Sequence, residues 1–133
     1  MTRSTRSLKT MLRAADFDAA RRFYVGLLGL EVVEEWDQPD DRGCIVSFGP
    51  GGGFLEILAP NRNHPGHRPD FERAVANDKI ELQVRVDDVD AWAAVLEGQV
   101  DTEGPVTRPW GNRYLWLRDP DGVRVALFEG PGE

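Results

Sequence analysis

Few residues in this sequence could carry nucleophilic or metal chemistry. The two histidines, His64 and His67, stand as His-x-x-His in a Pro/Gly-rich stretch. Such a pair can chelate a metal, but no third ligand stands at matching spacing, so both read as surface loop residues. Cys44, the one cysteine, has no histidine close in sequence to activate it and reads as a small buried hydrophobe. No Ser-His-Asp set can be assembled, because both histidines share one loop. Gly49-Pro50-Gly51-Gly52-Gly53 lacks the Lys-Ser/Thr and the following helix of a phosphate cradle. It reads as a turn.

The richer signal is an alternation. One side of the extended runs carries Lys9, Met11 and Arg13; Phe54, Glu56 and Leu58; Glu81, Gln83 and Arg85; Tyr114, Trp116 and Arg118; and Arg124, Ala126 and Phe128. A solvent face seldom holds so many rings, and a core seldom holds so many charges. The mixture suits a concave ligand site in which rings supply affinity and polar groups supply orientation. The alternatives are a subunit interface, which also mixes aromatic rings with arginine, and a surface for another protein. Lys9, Arg13, Arg85, Arg118 and Arg124 outnumber Glu56 and Glu81 on this face, which favours a neutral or anionic ligand; Arg13 and Arg85 could instead pair with nearby aspartates. Trp36, at the end of a strand, and Trp110, in Pro109-Trp110-Gly111, are placed on the rim. The expected ligand-binding set is therefore Trp36, Phe54, Glu56, Glu81, Gln83, Trp110, Tyr114, Trp116 and Phe128. Trp92, at helical spacing, reads as core.

The elements that must position these residues come twice. A strand over Leu8–Arg13 leads to Asp16, a helix N-cap, and to Phe17, Ala20, Phe23, Tyr24, Leu27 and Leu28 at helical spacing, stopped by Gly29. Strands over Glu31–Trp36, Cys44–Phe48 and Phe54–Leu58 follow. A polar linker, Asn61–Asp78, with a short helical turn over Phe71–Val75, separates the halves. The order then repeats: a strand over Ile80–Val86, a helix capped by Asp88 and ended by Gly98, and strands near Thr102–Thr107, Arg113–Arg118 and Arg124–Phe128. Asp119-Pro120-Asp121-Gly122 is the last turn. Arg13, Asp16, Asp18 and Ala19 recur as Arg85, Asp88, Asp90 and Ala91 at a constant offset. Internal duplication explains this best. The opposite strand faces, from Leu8 and Leu12 through Ile80 to Leu127, are aliphatic and must pack under the helices.

At 133 residues the chain fits a single domain, residues 1–133, with module 1 at about 8–60, the linker at 61–78 and module 2 at about 79–129. A net charge of −7 argues against nucleic acid as a partner. No apolar run approaches a membrane span, the first residues carry no signal-peptide pattern, and the lone cysteine suits a reducing compartment. The expectation is a cytoplasmic protein.

These features resemble the vicinal oxygen chelate superfamily, the glyoxalase/bleomycin-resistance/extradiol-dioxygenase group. The resemblance is carried by Ala15-Asp16-Phe17-Asp18-Ala19-Ala20-Arg21-Arg22-Phe23-Tyr24 leading into Leu28-Gly29-Leu30. In the second half, Val86-Asp87-Asp88-Val89-Asp90-Ala91, Pro109-Trp110-Gly111 and Asp119-Pro120-Asp121-Gly122 carry it. It implies an α+β fold of two βαβββ modules whose sheets curl around a cleft, usually in a homodimer. It also implies that metal-using relatives place ligands where this chain has Lys9, Glu56, Glu81 and Ala126. Lysine has no lone pair when charged and alanine has no donor, so no metal and no cofactor are expected. The function implied is a metal-independent protein that sequesters a small aromatic natural product or antibiotic. The alternative is a glyoxalase-like lyase or isomerase with Glu56 or Glu81 as general base and Lys9 beside a developing enolate.

Overall fold

The computed structural model describes residues 3–132. The chain divides into two compact units, Met1–Ala74 and Val75–Glu133, each built as βαβββ. The first holds β1 (Lys9–Arg13), α1 (Phe17–Arg21), β2 (Glu31–Gln38), β3 (Asp41–Ser47) and β4 (Phe54–Leu58). Its sheet runs β1-β4-β3-β2, with β1 parallel to β4 and the rest antiparallel. The second holds β5 (Asn77–Arg85), α2 (Val89–Leu96), β6 (Thr102–Thr107), β7 (Arg113–Arg118) and β8 (Val123–Glu129), in the order β5-β8-β7-β6. The repeated order predicted from sequence is thus present.

Both helices begin alike. Asp16 accepts a hydrogen bond from the Ala19 N–H at 3.1 Å, and Asp88 accepts one from the Ala91 N–H at 3.0 Å. Each carboxylate satisfies a backbone donor that the first helical turn leaves free. The helices then diverge. The spacing predicts an ordinary helix to Leu28, but Arg22–Leu27 is π-helical, with the Leu28 N–H reaching the Phe23 carbonyl. Within this wider turn the consecutive rings Phe23 and Tyr24 are both buried and meet edge to face, centroids 4.9 Å apart.

The aliphatic faces form the cores. Leu55, Ile57, Cys44 and Val46 are buried in the first unit, where α1 packs on β4. Leu115, Leu117, Val125 and Leu127 are buried in the second, under α2. Leu8 and Ile80 depart from the expected pattern and are exposed. Leu8 precedes β1, and Ile80 lies where the β5 register shifts between Asn77 and Glu81; neither comes under a helix.

Strand ends also differ from the sequence reading. β2 and β3 meet as a tight hairpin because Pro39 leads into Asp40, which takes a positive φ of 59°. β5 begins at Asn77, inside the expected linker, and the helical turn of that segment is a 3-10 turn over Pro69–Glu72, not Phe71–Val75. Proline at its start sets the register. No helix among the described residues is long and apolar enough to cross a membrane.

Candidate functional site

In the first unit β1 and β4 bring Lys9 and Glu56 together: the ammonium lies 3.1 Å from the carboxylate. Phe54, opposite Lys9 in the register, is half-buried beside them. Trp36 stands apart. Its indole crosses Gly43 on the neighbouring strand, where a Cβ would stand 2.6 Å from the ring, and its Nε1–H donates to Asp41 at 3.0 Å. Glycine at 43 is what lets the ring lie against the sheet.

A cavity of about 160 Å³ opens at the ends of β1 and β4. Arg13, Met11 and Leu58 line it from the sheet, with His64, His67 and Phe71 from the segment after β4. Lys9, Trp36, Phe54 and Glu56 are not among its walls. The surface-loop reading of the histidines is therefore corrected for His67, whose ring is only 12% exposed. It lies 3.1 Å from Glu72, which Arg62 also holds at 2.6 Å. Those contacts keep the Glu72 carboxyl below its ordinary range, Arg62 contributing most. His64 is exposed yet lines the cavity, and its Nδ1 accepts the Gly66 N–H at 2.9 Å, leaving the ring proton on Nε2. The signal that could have found this wall is Phe71, an aromatic residue alone in a polar, proline-rich segment.

In the second unit the predicted rings form one stack. Tyr114 lies parallel to Trp116 (centroids 5.5 Å, planes 6° apart) and near-parallel to Phe128 (5.7 Å, 23°). Trp110 meets Tyr114 edge to face, and its Nε1–H donates to the phenolic oxygen at 3.1 Å. Guanidinium groups cover three of the rings, Arg85 over Phe128 at 4.7 Å, Arg108 over Trp110 at 5.3 Å and Arg124 over Trp116 at 5.5 Å. Tyr114 and Phe128 are consequently buried and offer no open face, unlike the expected lining. Trp116 is half-buried and Trp110 exposed. Trp116 walls a cleft of about 330 Å³ that also presents Arg118, Arg124 and Glu103, a size at the lower end of small-molecule sites, roughly 300–1,000 Å³. Glu81 accepts from Arg124 at 2.8 Å and from Gln83 at 2.7 Å.

Metal ligation can be tested on these donors. Lys9 presents an ammonium and Ala126 a methyl group, while Glu56 and Glu81 already accept from cations. This set does not fit a divalent ion. Asp88, Asp90 and Glu129 also converge, but each is engaged. Asp88 caps α2, Asp90 pairs with Arg113 at 2.9 Å, and Glu129 accepts the Val89 N–H at 3.3 Å. Cys44 is fully buried, and burial pushes its thiol up, away from the reactive thiolate.

The described residues form a duplicated βαβββ chain with ring-lined and arginine-lined hollows. Residues 6–127 match the Glyoxalase/Bleomycin resistance protein/Dioxygenase superfamily. The chain belongs to that superfamily. A probable lactoylglutathione lyase of Vibrio cholerae is 24% identical over 131 residues, covering 93% of this chain and 90% of the relative. Among solved structures, the antibiotic binding protein TnmS3 of Streptomyces sp. CB03234 is 25% identical with a TM-score of 0.69, covering 98% of this chain and all (100%) of that one. Lactoylglutathione lyase from Agrobacterium tumefaciens is 26% identical with a TM-score of 0.68, covering 96% of each chain. The superfamily thus includes both binders and lyases, and the choice between them falls to the side chains.

Proposed function

We propose that this protein sequesters a small aromatic molecule without a metal, as a cytoplasmic homodimer of the resistance type, residues 1–133 working as one domain. The observation that carries the reading is the cleft walled by Trp116, backed by the Tyr114–Phe128 stack and edged by Arg118 and Arg124. A rigid ring wall gives a planar ligand a stacking surface at little entropic cost, and the charged edge orients it. Trp110, exposed and hydrogen-bonded to Tyr114, extends the aromatic surface. Likeness to an antibiotic binding protein supports the same reading. Glu56 and Glu81, the bases of the alternative lyase or isomerase, are both held by cations, which favours binding over turnover.

Titration with 2-naphthol, a neutral planar probe, followed by calorimetry, tests the reading. Trp116→Ala is expected to weaken binding by about fivefold to tenfold, the scale of one aromatic contact, and Trp110→Ala by less. Undiminished affinity in both variants removes the proposal. Native mass spectrometry of the same preparation should show a dimer, and a stoichiometric divalent metal would overturn the metal-free assignment.

A further inference from the structure

The duplication supplies its own control for one residue. Arg13 and Arg85 occupy the same position of the repeat, each at the end of its unit's first strand and each over a ring: Arg13 lies 5.1 Å from Phe71, Arg85 4.7 Å from Phe128. Arg85 is fully employed, because its guanidinium also donates to the carbonyls of Gly130 and Gly132. Among the described residues Arg13 pairs with no aspartate.

Arg13 has no such acceptor. Among the described residues its guanidinium makes no hydrogen bond or ion pair, and it lines the 160 Å³ cavity of the first unit. The other four cations on the mixed faces are all engaged: Lys9 by Glu56, Arg85 by carbonyls, Arg118 by Asp78 and Arg124 by Glu81. An arginine carries five N–H donors in a fixed fork, and one turned to a partly enclosed hollow without an acceptor favours an anion there.

We infer that this cavity is a binding site for a small monoanionic carboxylate bearing one ring, with Arg13 as the anchor. The volume is close to that of cavities that accept benzene, about 150 Å³, and Met11, Leu58 and Phe71 supply apolar walls. His64, whose Nδ1 accepts the Gly66 N–H, has its Nε2–H as a further donor on the lining. Asp41, also on the wall, disfavours a dianion such as a phosphate monoester by like-charge repulsion. The carboxylate takes the place that the Gly130 and Gly132 carbonyls take at Arg85. This site lies wholly within the first unit and does not depend on the cleft at Trp116.

The test is an NMR titration of the full ¹⁵N-labelled protein with sodium benzoate, run beside benzyl alcohol, the neutral analogue of similar shape. Benzoate is expected to shift the amides of Arg13, Ala14, Leu58, His64 and His67, and to bind at least about tenfold more tightly than benzyl alcohol, the scale of a charge-assisted contact. Arg13→Met should lose benzoate binding by a similar factor while keeping a dispersed spectrum. Equal affinity for the two compounds overturns the inference, and that comparison needs no variant. Shifts centred on Trp116 and Arg124, or a folded Arg13→Met protein that binds benzoate undiminished, overturn it too.

Discussion

The two units begin with the same grammar and finish it differently. Each opens with a strand, an arginine and an aspartate cap, and the caps are nearly superimposable in their bonding, 3.1 Å in one and 3.0 Å in the other. In the second unit the arginine is claimed by the chain's own C-terminal segment, which Asn112 pins from below. Its Nδ2–H donates to the Gly132 carbonyl at 3.0 Å and its Oδ1 accepts the Gly132 N–H at 2.9 Å. In the first unit the segment after β4 contributes Phe71 and two histidines but no acceptor for Arg13, and a hollow remains. The same contrast holds where the family's metal users place ligands. The first unit sets Lys9 against Glu56, while the second sets Gln83 beside Ala126 and Glu81 beside Arg124, which holds its carboxylate. Duplication copies the strand pattern and the caps faithfully. Function is written in what later segments lay across them.

The strongest way to break this comparison lies in the cores, where the units should respond alike. Ile57 on β4 and Leu127 on β8 hold the same place in their sheets, Ile57 beside Leu12 and Leu127 beside Val84, and both are buried. Truncating either to alanine should cost about 2–5 kcal/mol in urea unfolding, since each leaves a cavity beneath a helix. A small loss in one and a large loss in the other would show that the two cores are not packed equivalently, whatever their order of elements.

A smaller and sharper contrast concerns the paired arginines. Arg85→Met removes two hydrogen bonds to carbonyls as well as a ring contact and should destabilise by about 1–2 kcal/mol, allowing for its exposure. Arg13→Met removes only the ring contact and should cost no more than about 0.5–1 kcal/mol. Paired urea melts of the two variants measure the difference. Equal losses would mean that Arg13 has structural work of its own and is not held free for a ligand.

What could be read from sequence was what local chemistry decides. The Asp16 and Asp88 caps and the Asp119-Pro120-Asp121-Gly122 turn, in which Asp119 accepts from the N–H groups of Asp121 (2.8 Å) and Val123 (2.9 Å), depend on residues two to four apart. Alternation also placed Tyr114, Trp116 and Phe128 on one face, because side-chain period is a backbone property. It could not say that those rings stack on each other until two are buried, since that depends on strand register. Arg85 finds backbone carbonyls some 45 residues away, and a carbonyl has no sequence signature. His67 is covered by Glu72 and Phe71 only once the segment after β4 folds back. Composition there, polar and rich in proline, favours a plain surface loop.

The smallest effect is electrostatic and again separates the units. Arg42 holds the Asp18 carboxyl below its ordinary value, Arg21 does the same for Glu35, and Arg62 with His67 for Glu72, all in the first unit. In the second unit Arg113 does this for Asp90 alone among the described residues. A carboxyl whose folded pKa is depressed contributes stability that is present above its unfolded value, near 3.8 for Asp and 4.5 for Glu. That contribution is lost as pH falls through the lower folded value. Asp18, Glu35 and Asp90 are exposed and Glu72 is partly so, so the effect should be modest and screened by salt. Amide exchange mapped between pH 5 and 3 should therefore show protection falling earlier in β2, β3 and α1 than in β7 and α2. Asp18→Asn and Glu35→Gln together should flatten the first unit's acid response, leaving the second unchanged. If both units lose protection together in the parent protein, these ion pairs are not what separates them at acid pH, and the asymmetry rests on the arginines at the strand ends alone.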